Sequence, residues 1–328
     1  MEFPPRRWNT LDTSGIFAFD TFQVLNGLNF SWRNGVKYNT MKSVALITYG
    51  ESPDLTESDR LLIKPLQDEG FNPRAVAWDD KEIDWTQYDY LVLRSCWNYH
   101  YSFSKFLNWL SHLEKIKAKL WNPIPVVRWN ADKRYLKDLE KQEVSIPPTI
   151  WLDKGTKANL EDVMNDKGWD DVVVKPTVGA SVYEVFRIKI DKHNTAQPKL
   201  EMLLNKTDVM IQPLMSEVIT EGEFSFIFLG GEYSHAMLKR PKKGDFRSNY
   251  HCGGKETKVE PDKGLVEQAS SVLKKVDSPL LYARIDGINR NGKFILMEIE
   301  LIEPHLFFDQ DPKSPIRFAR ALKERSVL

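Results

Sequence analysis

The segment Ala283-Arg284-Ile285-Asp286-Gly287-Ile288, with Asn289-Arg290-Asn291-Gly292 and then Lys293 to Glu303, reads as a β-hairpin carrying charge on one face. Ile295, Met297, Ile299 and Leu301 alternate with Leu296, Glu298 and Glu300. Strand side chains point alternately to the two faces, so Glu298 and Glu300 stand on the same side, opposite an apolar face that packs on a core. A three-residue loop, Arg290-Asn291-Gly292, with Gly292 in the left-handed position, pairs Asn289 with Lys293 and brings Arg284 and Asp286 to that side. A two-residue loop, Asn291-Gly292, would put Asp286 on the opposite face. The three-residue loop is the expectation, because it gathers three carboxylates and a guanidinium. Glu303, at odd parity, reads as structural.

Three carboxylates this close repel one another, so one takes a proton unless a cation neutralises them. Hard oxygen donors on a rigid pair of strands suit magnesium, which keeps open positions for phosphates. The competing reading is a solvated acidic hairpin, disfavoured by the apolar residues between the acids.

Upstream, the second half of the chain is rich in strands. Val172 to Lys175 reads as a buried strand, and Thr149 to Leu152, Tyr183 to Ile190 and Asp208 to Gln212 as three more. Phe224 to Leu229 and Tyr233 to Leu238 flank a Gly230-Gly231 hairpin turn. Helices are expected over Lys263 to Val276 and Pro312 to Arg325. Lys175 precedes Pro176-Thr177-Val178-Gly179-Ala180-Ser181, a run whose small residues let backbone approach a phosphate. Neither GxxxxGK[ST] nor GxGxxG occurs, which removes support for a Walker A loop or a dinucleotide site. By itself, a lysine before a turn is weak evidence. Gln212-Pro213-Leu214-Met215 can offer backbone groups to a flat base, and Glu223 can accept hydrogen bonds from a ribose. Lys239 to Asn249 is a basic loop with glycine hinges, suited to a lid over phosphates, in which Arg247 and Asn249 stand out.

The first half reads differently. Val44 to Gly50, Arg74 to Trp78 and Tyr88 to Arg94 are strands with helical stretches between, the βαβ pattern of a parallel sheet. Thr56 with Asp59 resembles a capping box, Pro65 kinks the helix that follows, and Gly70 stops it. Ligands gather at the carboxyl ends of such strands, which makes Arg94, Ser95, Trp97, Asn98 and Tyr99 candidates for a substrate pocket. A polar loop around a buried tryptophan is the competing reading. A helix runs from about Ser102 to Lys119, and another opens at Asn130 to Leu136 and ends near Glu143. The fold class is α/β followed by α+β. Residues 1–40 carry no clear period, and the folded protein is expected to begin near Met41.

The chain has 328 residues, with 46 Lys plus Arg against 46 Asp plus Glu. That length suggests about two domains. The zero net charge argues against general nucleic-acid coating. Two distant cysteines, Cys96 and Cys252, build no disulfide framework and point to a reducing, cytoplasmic compartment. No apolar run is long enough to span a bilayer, and the N-terminus makes a poor signal peptide.

Each element is modest, but their order is specific: Lys133 opening a helix, Lys175 before small residues, Gln212 to Met215, Glu223, Arg247 with Asn249, Arg284-x-Asp286 and Glu298-x-Glu300. This order resembles the ATP-grasp superfamily of carboxylate–amine ligases. It is most similar to the branch with prokaryotic glutathione synthetases, D-alanine–D-alanine ligases and the cyclo-ligase of cycloserine biosynthesis. The resemblance runs from about Met41 to the C-terminus and is strongest from Lys133 onward. It implies an N-terminal parallel-sheet domain over 41–125 and an ATP-grasp domain over 126–328, whose two α+β parts clamp ATP.

The resemblance also implies roles. Lys133 and Lys175 contact the ATP phosphates, beside the Gly179 to Ser181 loop. Gln212, Pro213, Leu214 and Met215 bind adenine, and Glu223 holds the ribose. Asp286, Glu298 and Glu300 hold two magnesium ions, for which manganese can substitute. Arg284, with Arg247 and Asn249, stabilises an acyl phosphate and its tetrahedral successor. Two departures stand out: Glu300 replaces the asparagine common at the last metal position, and the loop after Lys175 is poorer in glycine. The implied partners are a small-molecule carboxylate and an amine, in an enzyme of a family where homo-oligomers are common. The competing readings are a catalytically silent ATP-binding module acting as partner or sensor, and a metal-dependent phosphotransferase that forms no amide.

Overall fold

The computed structural model describes residues 32–33, 36–37, 41–180 and 183–326, in two compact units, Met1–Thr40 and Met41–Leu328. In the first unit, β1 (Trp32–Arg33) pairs antiparallel with β2 (Val36–Lys37). The expectation of a loose extension over residues 1–40 otherwise lies outside the described residues, as does Ser181.

The second unit opens with a parallel sheet, as the βαβ spacing predicts. Its strands are β3 (Lys42–Thr48), β4 (Phe71–Ala77), β5 (Tyr90–Leu93) and β6 (Leu120–Trp121), in the order β4-β3-β5-β6. Val44 to Ile47 and Leu91 to Leu93 are fully buried because both faces are covered. One face meets the helix Phe103–Lys115, which turns Phe106, Trp109, Leu110 and Leu113 inward at three- and four-residue spacing. The other meets the C-terminal helix Ser314–Arg325 through Phe318 and Leu322. Thr56 caps its helix, Oγ1 accepting the Asp59 N–H at 3.0 Å. That helix comes in two pieces, Glu57–Arg60 and Ile63–Asp68; Pro65 has no N–H to offer the Leu61 carbonyl.

The helix expected from Asn130 to Glu143 is shorter, Tyr135–Lys141, and a separate helix, Ile124–Asn130, ends where it was expected to begin. Lys133 falls in the turn between them rather than opening a helix. Its N–H donates to the Thr177 carbonyl at 2.8 Å, a tertiary partner in place of a helical one.

A second sheet follows, built from β7 (Ile150–Leu152), β8 (Asp171–Pro176), β9 (Phe186–Lys189) and β10 (Val209–Pro213) in the antiparallel order β7-β10-β8-β9. Helices Leu160–Lys167 and His193–Leu204, for which the sequence pattern gives no expectation, cover one face through Met164, Leu200 and Leu203. Along β8, Val172 and Val174 are buried there, while Val173 and Lys175 turn to the other face.

The third sheet contains β11 (Glu223–Leu229), β12 (Glu232–Arg240), β13 (Lys255–Val259), β14 (Tyr282–Arg290) and β15 (Lys293–Glu300), in the order β13-β12-β11-β14-β15. Its β14–β15 hairpin corrects the expected loop. Arg290 pairs with Lys293, so the loop has two residues, Asn291 and Gly292, both at positive φ (53° and 83°). Continued regularly, that register would place Asp286 opposite Met297. A bulge intervenes: Gly287 pairs with Leu296, and Asp286 with Glu298. Met297 is the extra residue, and it restores Asp286 and Arg284 to the face of Glu298 and Glu300. The expected gathering therefore stands, by a different route. The apolar face changes with it. Phe294, Leu296, Ile299 and Leu301 share one core, whereas Ile295 and Met297 belong to a small cluster with Met215, Val218 and Ile288.

Candidate active site

Residues from the two antiparallel sheets, joined by Trp97 and Tyr99 from the chain that follows β5, line one cavity of about 1050 Å³, at the upper end of what roughly holds a drug-sized ligand. Its chemistry changes along its length. One end is apolar, with Val173, Pro213, Leu214, Met215, Val218 and Met297. The middle is ionic, with Lys133, Lys175, Glu223, Lys239, Arg284, Asp286, Glu298 and Glu300. The far end meets the parallel-sheet part through Trp97 and Tyr99 and is shared by Glu303, His305 and Phe307. A flat base followed by phosphates fits the first two zones.

The centre is a ladder of alternating charges. Lys133 Nζ lies 2.9 Å from Glu298 Oε1 and donates to the Gly179 carbonyl at 2.7 Å, tying the small-residue loop to β15. Lys239 Nζ bridges Asp286 (2.7 Å) and Glu223 (3.1 Å). Arg284 donates to Asp286 at 3.0 Å and also to Glu300. Glu223 further accepts from the Ser248 hydroxyl at 2.7 Å. Lys175 has no ion-pair partner among the described residues; burial and nearby Lys133 lower its pKa. Burial opposes ionisation of Asp286, but Arg284 and Lys239 overcome it and hold the carboxyl down at about 2. Burial likewise opposes Glu298, and Lys133 and Lys175 hold it below the usual range. Glu300 is pushed up to about 7, by burial and by the Asp286 and Glu298 charges.

The other expected residues divide. Gln212, Pro213, Leu214 and Met215 line the apolar end, and the Gln212 amide is anchored on Thr149 Oγ1 at 2.9 Å. Arg247 and Asn249 line the cavity from their loop; Arg247 is held by Asp245 at 2.8 Å. Of the proposed substrate pocket, Trp97 and Tyr99 line the cavity, and Arg94, Ser95 and Asn98 do not. Arg94 is 1% exposed and donates to Asp59 at 2.8 Å and to the Pro304 carbonyl at 3.0 Å. Its strand end points into the seam between the parallel sheet and the following chain, where a charge needs a partner. Asn98 is engaged by Trp78 and Asp79, and Ser95 is buried. The sequence pattern places Lys239 in a lid, whereas β12 continues far enough to bury it. Glu303, expected to be structural, lines the cavity, its pKa well raised by burial and by Glu300. Neither has a local signal, since each depends on strand length and pairing.

Among the described residues, no three His, Cys, Asp or Glu side chains are arranged to hold a metal ion as they stand. Asp286, Glu298 and Glu300 are each bonded to a protein cation instead. The donors still fit a divalent ion in kind: hard oxygens on adjacent strands, with the raised Glu300 marking negative charge the local cations do not fully offset.

The cleft runs from apolar to ionic between two antiparallel sheets, and the family match makes the protein an ATP-dependent ligase that forms carbon–nitrogen bonds. The model of the prokaryotic glutathione synthetase ATP-grasp domain matches residues 140–308, and the chain belongs to that family. The N-terminal domain model of the D-cycloserine synthetase DcsG matches residues 44–122. The cycloserine biosynthesis protein DcsG of Streptomyces lavendulae is 29% identical over 300 residues, 87% of this chain and 99% of that protein. A glutathione synthetase of Prochlorococcus marinus is 32% identical over 139 residues, 41% of this chain and 43% of that protein. Among solved structures, D-cycloserine synthetase DcsG superposes with TM-score 0.79 at 28% identity, covering 87% of this chain and 99% of that one. The D-alanine–D-alanine ligase of Bacillus anthracis in complex with ATP gives TM-score 0.63 at 15% identity over 87% of this chain and 97% of that one, a likeness of fold. Among the described residues no helix is long and apolar enough to cross a membrane.

Proposed function

We propose that the protein transfers the γ-phosphoryl group of ATP to a small-molecule carboxylate, giving an acyl phosphate and ADP. An amine then displaces phosphate. In this reading the apolar end around Gln212 to Met215 takes the adenine and Glu223 turns to the ribose. Lys133 and Lys175 meet the phosphates, and Asp286, Glu298 and Glu300 would hold two magnesium ions. Bound magnesium would supply charge neutralisation on the phosphates. The chain's own work is positioning and charge. Lys133 exchanges Glu298 for phosphate oxygen, Arg284 faces the oxygens that gain charge, and Arg247 with Asn249 closes from the loop.

The observation that carries this reading is the set of alternating cations and carboxylates, drawn from separate chain segments, at the end of an apolar slot. The similarity to the cycloserine protein runs through both the parallel-sheet and ATP-grasp parts. It supports an acceptor amine within the same molecule and a cyclic product. It is also the ground for proposing a division near residue 125.

Thermal unfolding with and without MgATP, on wild type and Lys175→Ala, tests the site. A ligand at 100 times its Kd stabilises the native state by about 2.7 kcal/mol. The wild type is expected to shift and the variant not, after which a panel of carboxylates and amines is screened for ADP release. Absence of both shift and ADP release in the wild type refutes the reading.

A further inference from the structure

β8 ends at Pro176 and β9 begins at Phe186. Of the small-residue stretch between them, Gly179, Ala180 and Tyr183 line the cavity. Lys133 holds its near end, with the N–H on the Thr177 carbonyl at 2.8 Å and Nζ on the Gly179 carbonyl at 2.7 Å. The Tyr183 N–H closes a turn on the Ala180 carbonyl at 3.0 Å. The far end is held by the parallel-sheet part. Ala180 packs against the core cluster that contains Tyr99. The Tyr183 ring lies 5.1 Å from the His100 ring and 5.1 Å from the Tyr101 ring, the second contact edge-on at 89°.

The two sides of this contact differ in firmness. His100 and Tyr101 belong to the short turn Tyr99–Ser102 that follows β5. Asn98, just before it, is fixed by the Trp78 indole at 2.7 Å and by Asp79 at 2.9 Å, and its carbonyl accepts the Tyr101 N–H at 3.0 Å. Tyr99 is 5% exposed and packs on Phe106 with ring centroids 4.9 Å apart. The turn is therefore a platform. On the loop side, Gly179 and Ala180 have little side chain with which to pack, so the Tyr183 ring is the anchor. Ring pairs at these separations attract. Tyr101 is 67% exposed and does not line the cavity. It touches no bound nucleotide, and its route to the site is the Tyr183 ring, directly or by way of His100, 4.0 Å away.

We propose that Tyr183, seated against His100 and Tyr101, is a positioning residue that fixes the small-residue loop against the nucleotide phosphates. This rests on the ATP-binding reading above. The ring contacts hold Gly179 and Ala180 in place before the nucleotide arrives, so that less ordering is charged against binding. They also tie the loop to the segment that carries Trp97 and Tyr99, which sets the phosphate end of the cavity relative to the far end.

The test is a double-mutant cycle on the full-length protein. The magnesium complex of the non-hydrolysable imido analogue of ATP is titrated by calorimetry into wild type, Tyr101→Ala, Tyr183→Ala, the double variant and Tyr183→Phe. One ring pair corresponds to about a 2- to 12-fold change in an equilibrium constant. Tyr101→Ala breaks one contact of Tyr183 and should raise Kd by about that factor; Tyr183→Ala breaks both and should raise it about tenfold or more. The double variant should bind no more weakly than Tyr183→Ala alone, because Tyr101 acts through Tyr183. Tyr183→Phe keeps the ring and should stay within about threefold of wild type. Ligand-free Tm should hold in every variant, since both tyrosines are exposed. Wild-type affinity in Tyr101→Ala would overturn the proposal, whether or not its Tm falls. Multiplied losses in the double variant would overturn it too, by giving Tyr101 a route of its own. A loss in Tyr183→Phe as large as in Tyr183→Ala would replace ring packing with a hydroxyl contact to the ligand. A wild type that does not bind the analogue refutes the nucleotide reading itself, a result distinct from all of these.

Discussion

Arg94→Met separates a structural arginine from a substrate-binding one. Arg94 sits at the end of β5 with its guanidinium 2.8 Å from Asp59 Oδ1 and 3.0 Å from the Pro304 carbonyl, against the rings of Tyr282 and Phe308 at 5.3 and 5.6 Å. The side chains of Arg94 and Asp59 are 1% and 5% exposed, so the variant leaves Asp59 buried without a counter-charge. Breaking a buried pair in this way costs about 3–5 kcal/mol. A compact unit of this size unfolds with an entropy of roughly 0.6 kcal/mol per kelvin, so the midpoint should fall by about 5–8 °C. The double variant Arg94→Met, Asp59→Leu removes both charges and should regain most of that loss, because apolar replacements of a buried pair are often neutral. The assay is thermal unfolding by circular dichroism, with and without MgATP. The MgATP-induced increment should survive in both variants, since neither residue lines the cavity. If Arg94→Met melts within about 1 °C of wild type yet abolishes substrate-dependent ADP release, the burial of Arg94 is not what retains it and the residue touches substrate.

Other perturbations read other parts of the structure. Asp286→Asn combined with Glu298→Gln should abolish ADP formation and the magnesium-dependent part of the nucleotide-induced thermal shift; normal turnover would remove these carboxylates from the site. His235 is 3% exposed, and burial lowers its pKa to about 4 from 6.5. The unfolded chain therefore binds the proton first as pH falls. Its stabilising share is full above about 6.5 and declines toward pH 4, by up to about 3 kcal/mol. His235→Gln should flatten denaturant-derived stability across that window, leaving the parallel shares of His100 and His305, which are lowered by burial as well. Gly287→Ala drives a Cβ into the Phe294 ring and to 2.5 Å from the Ile295 carbonyl. It should cost about 1–3 kcal/mol in urea unfolding and lower the rate of ADP release with it, because Asp286 is the neighbouring residue; unchanged stability would mean that β14 and β15 are not packed as described.

Much of the fold is legible in the chain because it rests on local signals. Short apolar strands separated by helical stretches specify the parallel sheet, and Gly230-Gly231, at positive φ, specifies the β11–β12 turn. The Thr56 cap can be read three residues ahead of its N–H partner, since capping is a matter of spacing. The helices Leu160–Lys167 and His193–Leu204 carry weaker signals: the first is short and the second has Pro198 within it. The helix expected from Asn130 begins only at Tyr135, and ahead of it Lys133 finds its backbone partner in Thr177, far along the chain.

The site divides along the same line. The residue types and their order, from the sequence alone, pointed to cations and carboxylates gathered at one site, and Lys133, Lys175, Asp286, Glu298 and Glu300 do line one cavity. Parity along a strand is a local property, so it could place Glu298 beside Glu300. It could not place Asp286, whose face depends on a bulge at Met297 that exists only when β14 and β15 pair. Pairing between distant strands also buried Lys239 between Asp286 and Glu223, took Arg94 into a seam with Asp59, and left Glu303 facing the cavity without a partner among the described residues. Type and spacing are written in the chain; which charge meets which is decided by the low-dielectric interior, where an unpaired ion is costly and tertiary contacts choose its partner.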